Sequence, residues 1–164
     1  MDQIAEDKAN SLHPLFVLYD WNYNDKTRYL SETAEIGELC KSDQIWFHVN
    51  LGHNGCFAFL EEYKYLGEDP TDVIDSLAVE ASKYMQTSFE SSLLWAKNRT
   101  RIYEGMHWWE YECEKKFNYL NDKNTYTVDF KNYTIYLGKT NKAYKFWFVI
   151  NMMGIQGVED MLRK

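Results

Sequence analysis

Four short apolar runs punctuate the chain: Leu15-Phe16-Val17-Leu18-Tyr19, Ile45-Trp46-Phe47-His48-Val49, Val73 to Val79, and Ser91 to Ala96. Runs of this length predict buried strands. Between the first two, Asp20 to Arg28 is polar and reads as a loop. Ser31-Glu32-Thr33-Ala34-Glu35 then opens a helix, with Ser31 as N-cap and acidic residues in the first turn. Ala34, Ile36, Leu39 and Cys40 supply its buried stripe. Asn50-Leu51-Gly52-His53-Asn54-Gly55 is turn-rich, Phe57 to Leu66 predicts a further helix, and Tyr144 to Leu162 a long amphipathic one. Strands alternating with helices at this spacing predict an α/β fold, a mainly parallel sheet with right-handed crossovers and flanking helices. Ligands of such sheets sit beyond the carboxyl ends of the strands, and Asn50 and Lys83 both fall there.

Composition narrows the function classes. At 164 residues and 45% hydrophobic, the chain is one ordinary domain with a real core. A net charge of −7 argues against nucleic acid, because phosphate binding needs a concentrated basic face. Lys115-Lys116 is a tight basic pair, and Lys139, Lys142 and Lys145 read as a solvated helix face. No apolar run is long enough to predict a membrane span, and Met1 to Asn10 is too acidic and polar for a secretory signal. Cys40, Cys56 and Cys113 form an odd set without a CxxC pair, which predicts reduced thiols and a cytoplasmic location. His13, His48, His53 and His107 lack metal-ligand spacing, so no metal is expected. The sequons at Asn98 and Asn132 read as chance. Aromatic residues concentrate between Tyr103 and Tyr136, which fits either core packing or a Tyr- and Trp-rich interface.

An ordered set of motifs then points to a family. Ile36-Gly37-Glu38-Leu39-Cys40 is followed by Ile45-Trp46-Phe47-His48-Val49-Asn50, by Glu80-Ala81-Ser82-Lys83-Tyr84, and by Leu94-Trp95-Ala96-Lys97-Asn98-Arg99. Leu137-Gly138, Lys145-Phe146-Trp147-Phe148-Val149 and Met153-Gly154-Ile155-Gln156-Gly157 complete the series. The series resembles the group II pyridoxal-phosphate-dependent amino-acid decarboxylases, which include the aromatic-amino-acid, histidine and tyrosine decarboxylases. Their pattern is Trp-x-His-Val-Asp-Ala-Ala-Tyr-x-Gly, then Asn-Pro-His-Lys-Trp. The resemblance implies part of a type I, aminotransferase-like, pyridoxal-phosphate (PLP) enzyme. Residues 1–140 would be the later part of the large cofactor-binding domain, and 141–164 the helix leading towards the small domain.

By this resemblance Lys83 is the lysine that bonds the cofactor's aldehyde, and a partly desolvated lysine at a strand end suits that chemistry. Asn50 stands where the family has an aspartate that keeps the pyridine nitrogen protonated. A neutral amide cannot hold that proton electrostatically. Ser82 replaces a histidine, and Leu51-Gly52-His53 replaces Ala-Ala-Tyr, so Gly52 falls in the pocket wall. Asn24 or Asp25 falls at the family's cofactor-contacting threonine. Tyr119 matches the tyrosine of the mobile catalytic loop, where it can donate a proton. The implied activity is that of a carboxy-lyase on an aromatic L-amino acid, impaired by these changes. The stacking histidine and phosphate-holding residues of the family match nothing in this sequence. Two roles follow: a decarboxylase segment, or a non-catalytic protein that pairs with itself or with a full-length relative and covers its apolar surface in doing so.

Overall fold

A computed structural model describes residues 2–21, 29–63, 70–106 and 141–164. The chain divides into two compact units, Met1–Lys97 with Asn141–Lys164, and Asn98–Thr140. The first unit is built on four strands in sequential order: β1 (Phe16–Asp20), β2 (Trp46–Asn50), β3 (Ser76–Glu80) and β4 (Ser92–Ala96). β1 and β2 run parallel, with Val17 opposite Phe47 and Asp20 opposite Asn50. β2 and β3 are also parallel, with Asn50 opposite Ala78. β4 turns back antiparallel to β3, pairing Leu77 with Trp95 and Glu80 with Ser92. The sheet is thus mainly parallel, as the strand spacing predicts. The second unit contributes one described helix, α3 (Arg99–Met106), opened by the Asn98 side chain accepting from the Thr100 amide at 2.9 Å.

Three elements differ from their sequence-based expectations. The helix α2 (Tyr29–Asp43) begins before Ser31, which therefore sits inside the first turn and does not cap it. Where a helix is expected over 57–66, the described residues form short 3₁₀ segments, Gly52–Phe59 and Glu61–Tyr63, with 64–66 outside the described residues. The first of these ends because Leu60 turns extended and is buried at 2% exposure. The third strand starts at Ser76, since Asp75 acts as a bracket: its carboxylate accepts from the Phe47 amide at 2.9 Å, its amide donates to the Phe47 carbonyl at 3.0 Å, and its carbonyl accepts from Lys97 at 2.8 Å. A further helix, α1 (Asp2–Ala9), arises from the polar N-terminal stretch. It is held by Ile4 against the core and by a Lys8–Asp43 ion pair.

Two apolar clusters hold this unit together. Cys40, Ile45, Phe47 and Val49 pack with Val17, Ile36 and Leu77, joining α2 to the sheet. Cys56, Val79, Ala81, Met85 and Val158 pack with Leu93, Phe146 and Ile150. Burial raises both thiol pKa values, that of Cys56 to about 11, and both cysteines are free. The helix α4 (Lys142–Leu162) is capped by the Asn141 side chain, which accepts from the Tyr144 amide at 3.0 Å. It kinks at Gly154, whose φ of 67° lies in the left-handed region that favours glycine. Just past its end, Arg163 makes a bidentate pair with Glu62 at 2.8 and 3.0 Å, and those hydrogen bonds hold the Glu62 carboxyl down to about 2. The opposite side of the sheet leaves Phe16, Leu18 and Leu94 exposed.

Gly55 shows how tightly the 3₁₀ segment seats on the sheet. A Cβ there would collide with the methyls of Val79 and lie 2.9 Å from Leu51 Cβ. Gly55→Ala is expected to lower unfolding stability by about 1–3 kcal/mol, read from the urea midpoint at unchanged slope.

Candidate functional site

The carboxyl ends of β1, β2 and β3 converge on a cleft of about 440 Å³. Trp21 and Tyr84 supply aromatic wall, Leu51, Gly52 and His53 line it from the turn after β2, and Lys83 lines it from the turn after β3. Each contributor is fixed by the backbone around it. Trp21 donates its amide to the Asn50 carbonyl at 2.9 Å, and Leu51 donates to the Ala78 carbonyl at 2.9 Å. Ala81 donates to Ser91 and Met85 to Ala81, at 2.9 and 3.1 Å. Met85 and Ala81 are fully buried, so the turn carrying Lys83 is pinned at both sides.

Lys83 itself is exposed, with its Nζ 5.5 Å from the centre of the Tyr84 ring. The described residues therefore do not desolvate it, contrary to the expectation for a buried strand-end amine. Its turn projects the side chain outwards, over the aromatic ring, where a cation gains favourable electrostatics. Gly52 has φ of 52°, a left-handed conformation suited to a residue without Cβ.

Asn50, expected to share a pocket with Lys83, is not among the residues lining this cleft, and both ends of its amide are engaged. Nδ2 donates to Asp20 Oδ1 at 3.1 Å, and Oδ1 accepts from the Gly52 amide at 3.1 Å. The carboxylate at this corner of the sheet is thus on β1, one strand away from position 50. Ser82 is similarly occupied, its Oγ donating to Glu80 Oε1 at 2.7 Å. Asn24 and Asp25, and Tyr119, lie outside the described residues.

Two arrangements carry no motif in the sequence. On the open side of the sheet, Trp46 Nε1 donates to Ser76 Oγ at 2.8 Å, and that hydroxyl lies 2.6 Å from His48 Nδ1. The direction of that contact depends on the ring's tautomer, and burial lowers the His48 pKa. Beside the cleft, His53 Nε2 lies 3.5 Å from Glu80 Oε2. Only the alignment of strand ends brings these residues together, and no local spacing announces it. A larger apolar cavity of about 630 Å³, walled by Phe59, Ile74, Leu93 and Trp95, contains neither Lys83 nor Asn50.

The whole chain, residues 1–164, matches the model of the pyridoxal-dependent decarboxylase conserved domain. It is 25% identical over 163 residues to tryptophan decarboxylase 2 of Oryza sativa subsp. japonica, covering 99% of this chain and 32% of that protein. It is 24% identical to the aromatic-L-amino-acid decarboxylase of Rattus norvegicus, covering 99% and 33%. The chain therefore spans about a third of the length of these relatives. In fold it is similar to Rhodiola rosea 4-hydroxyphenylacetaldehyde synthase (TM-score 0.77, 21% identity, 99% of this chain and 31% of that one). It is also similar to Catharanthus roseus tryptophan decarboxylase in complex with L-tryptophan (TM-score 0.75, 20% identity, the same coverage).

The Asp20–Asn50 pair makes a direct forecast. Asn50→Asp removes the donor and sets two carboxylates side by side, so stability at neutral pH should fall by about 0.5–1.5 kcal/mol. The exchanged pair Asp20→Asn with Asn50→Asp should recover most of the loss, measured by thermal melts across pH.

Proposed function

Because the chain belongs to the pyridoxal-dependent decarboxylase family, we propose that it is a divergent segment of such an enzyme, with Lys83 as the amine that meets the cofactor's aldehyde and with turnover by the segment alone impaired. Residues 1–140 correspond in this reading to the later part of the large domain, and 141–164 to the helix towards the small one. The observation that carries it is Lys83 beside Gly52 in an aromatic-walled cleft at the strand ends. That cleft lies within the size range of small-molecule sites. Pyridoxal phosphate, when bound, supplies the ring that accepts the electron pair released by loss of carbon dioxide. The residues present fit its aldehyde end: an exposed amine over Tyr84 and a glycine wall. At the ring end Asn50 is neutral and already shared between Asp20 and the Gly52 amide. A hydrogen bond to a charged partner is worth about 1.5–3 kcal/mol, so its loss slows the chemistry substantially.

An aromatic L-amino acid as substrate, Tyr119 as proton donor, and Asn24 and Ser82 near the cofactor belong to the same proposal. So does a cytoplasmic location, which the free thiols Cys40 and Cys56 support; no helix among the described residues is long and apolar enough to cross a membrane. Incubation with pyridoxal phosphate and borohydride should leave a reduction-stable mass increase on the Lys83 peptide, absent in Lys83→Arg. A Lys83 peptide of unchanged mass defeats the proposal.

One observation favours a second reading, a non-catalytic protein that pairs with itself or with a full-length decarboxylase. The outward side of α4 exposes Tyr144, Trp147, Phe148, Met152 and Ile155, an apolar stripe at helical spacing. Lys145 is the one charged residue among the exposed positions from 143 to 156. Sedimentation or size exclusion should show concentration-dependent association that the combined Trp147→Ser and Met152→Ser changes abolish. A monomer at every concentration, with no capture of a full-length relative, rules this reading out.

A further inference from the structure

Ser76 is 5% exposed, and its hydroxyl contacts two aromatic side chains of β2. Side chains alternate along a strand, so Trp46, His48 and Ser76 share the side of the sheet opposite Phe47 and Val49. Register sets His48 directly across from Ser76, and Trp46 reaches the same hydroxyl from one pleat upstream. A hydroxyl has one proton to donate and two lone pairs to accept with. The indole N–H can only donate, so it takes one lone pair of Oγ at 2.8 Å. The 2.6 Å contact with His48 Nδ1 then decides where the hydroxyl proton goes. If Nδ1 carries a hydrogen, both neighbours donate, and the Ser76 proton has no acceptor among the described residues. If Nδ1 carries the lone pair, the chain closes: indole to hydroxyl, hydroxyl to imidazole. A buried donor without a partner bears its full desolvation cost, so the closed chain is favoured.

We propose that Trp46, Ser76 and His48 form a proton-sensitive latch across β2 and β3, closed when His48 is neutral and released when the ring takes up a proton. Imidazolium carries a hydrogen on both nitrogens. Nδ1 then turns from acceptor to donor and faces a hydroxyl whose own proton must swing away. Among the described residues no acid pairs with the ring to offset the new charge. Across from His48 on β1 is Leu18, and Asp20 further along is held by Asn50. On β3 the Asp75 carboxylate accepts from the Phe47 amide, and Glu80 faces Ser82 and His53. β4 has no charged residue between Ser92 and Ala96. Burial of the ring acts in the same direction, lowering its pKa. The unfolded chain therefore binds the proton first as pH falls. The latch contributes in full above the ordinary histidine range, and its contribution is lost as pH drops through the His48 midpoint. It uses neither Lys83 nor Asn50, so it stands or falls apart from the decarboxylase reading.

The test follows the ring and indole nitrogen signals of the isotope-labelled full chain by NMR as pH falls, with the exposed His13 as reference. At neutral pH the His48 Nδ1 signal should be that of a nitrogen without hydrogen, and the His48 midpoint should lie below that of His13. The Trp46 indole proton should shift with the same midpoint. Ser76→Ala should move the His48 midpoint up towards that of His13 and leave the Trp46 signal unresponsive. Ser76→Cys, whose thiol donates weakly, should move the midpoint the same way by less, and decides the matter if the alanine variant does not fold. Urea midpoints should fall more steeply through the His48 range in wild type than in His48→Gln. The latch is overturned by a hydrogen on Nδ1 at neutral pH or by a His48 midpoint equal to that of His13. A midpoint untouched in the folded serine variants, or an acid loss equal to that of His48→Gln, overturns it as well.

Discussion

Asp75 sets the geometry from which everything else at the strand ends follows. One residue engages the Phe47 amide with its carboxylate, the Phe47 carbonyl with its amide and the Lys97 amide with its carbonyl. β3 is thereby locked in register against β2 on one side and against the end of β4 on the other. Register has a period of two in side-chain direction, so a slip of one residue would exchange the two faces of the strand. Leu77 and Val79 would leave the core, and Glu80 would turn away from His53. The cleft is a long-range product of a bracket several residues upstream of it.

Much of this architecture is written locally in the sequence. The four apolar runs mark the strands because their length and content suit burial on a pleated surface. The α4 pattern is equally direct, with Phe146, Ile150 and Val158 at helical spacing meeting the core. The segment after β2 is not legible in the same way. Its helix-like composition yields to the demand that Leu60 be buried and that Gly55 sit against Val79, both tertiary effects. Ser31 misleads for a related reason, since a good capping residue is also tolerated within a first turn. The antiparallel return of β4 has no marker in residue type, because its Leu and Trp suit either direction.

At the site, residue identity conveys which groups exist and the fold conveys what they are bonded to. Asn50 and Lys83 follow from the positions of the strand ends. The engagement of Asn50 by Asp20 does not, because it depends on which residues two neighbouring strands place opposite each other. The carboxylate at this corner is that of Asp20 on the neighbouring strand. Lys83 also differs from its expected setting: the turn after β3 places it over Tyr84 in the open.

Among the described residues β1 forms one rim of the four-stranded sheet, with Phe16 and Leu18 facing outwards. Unpaired backbone groups on such a strand are a template on which another extended segment can grow. Pro14 just before it and Asp20 at its end are residues that blunt this tendency, and a chain charge of −7 keeps copies apart. Ionic screening weakens that mutual repulsion while leaving the template intact. Added salt is therefore expected to favour association along this edge.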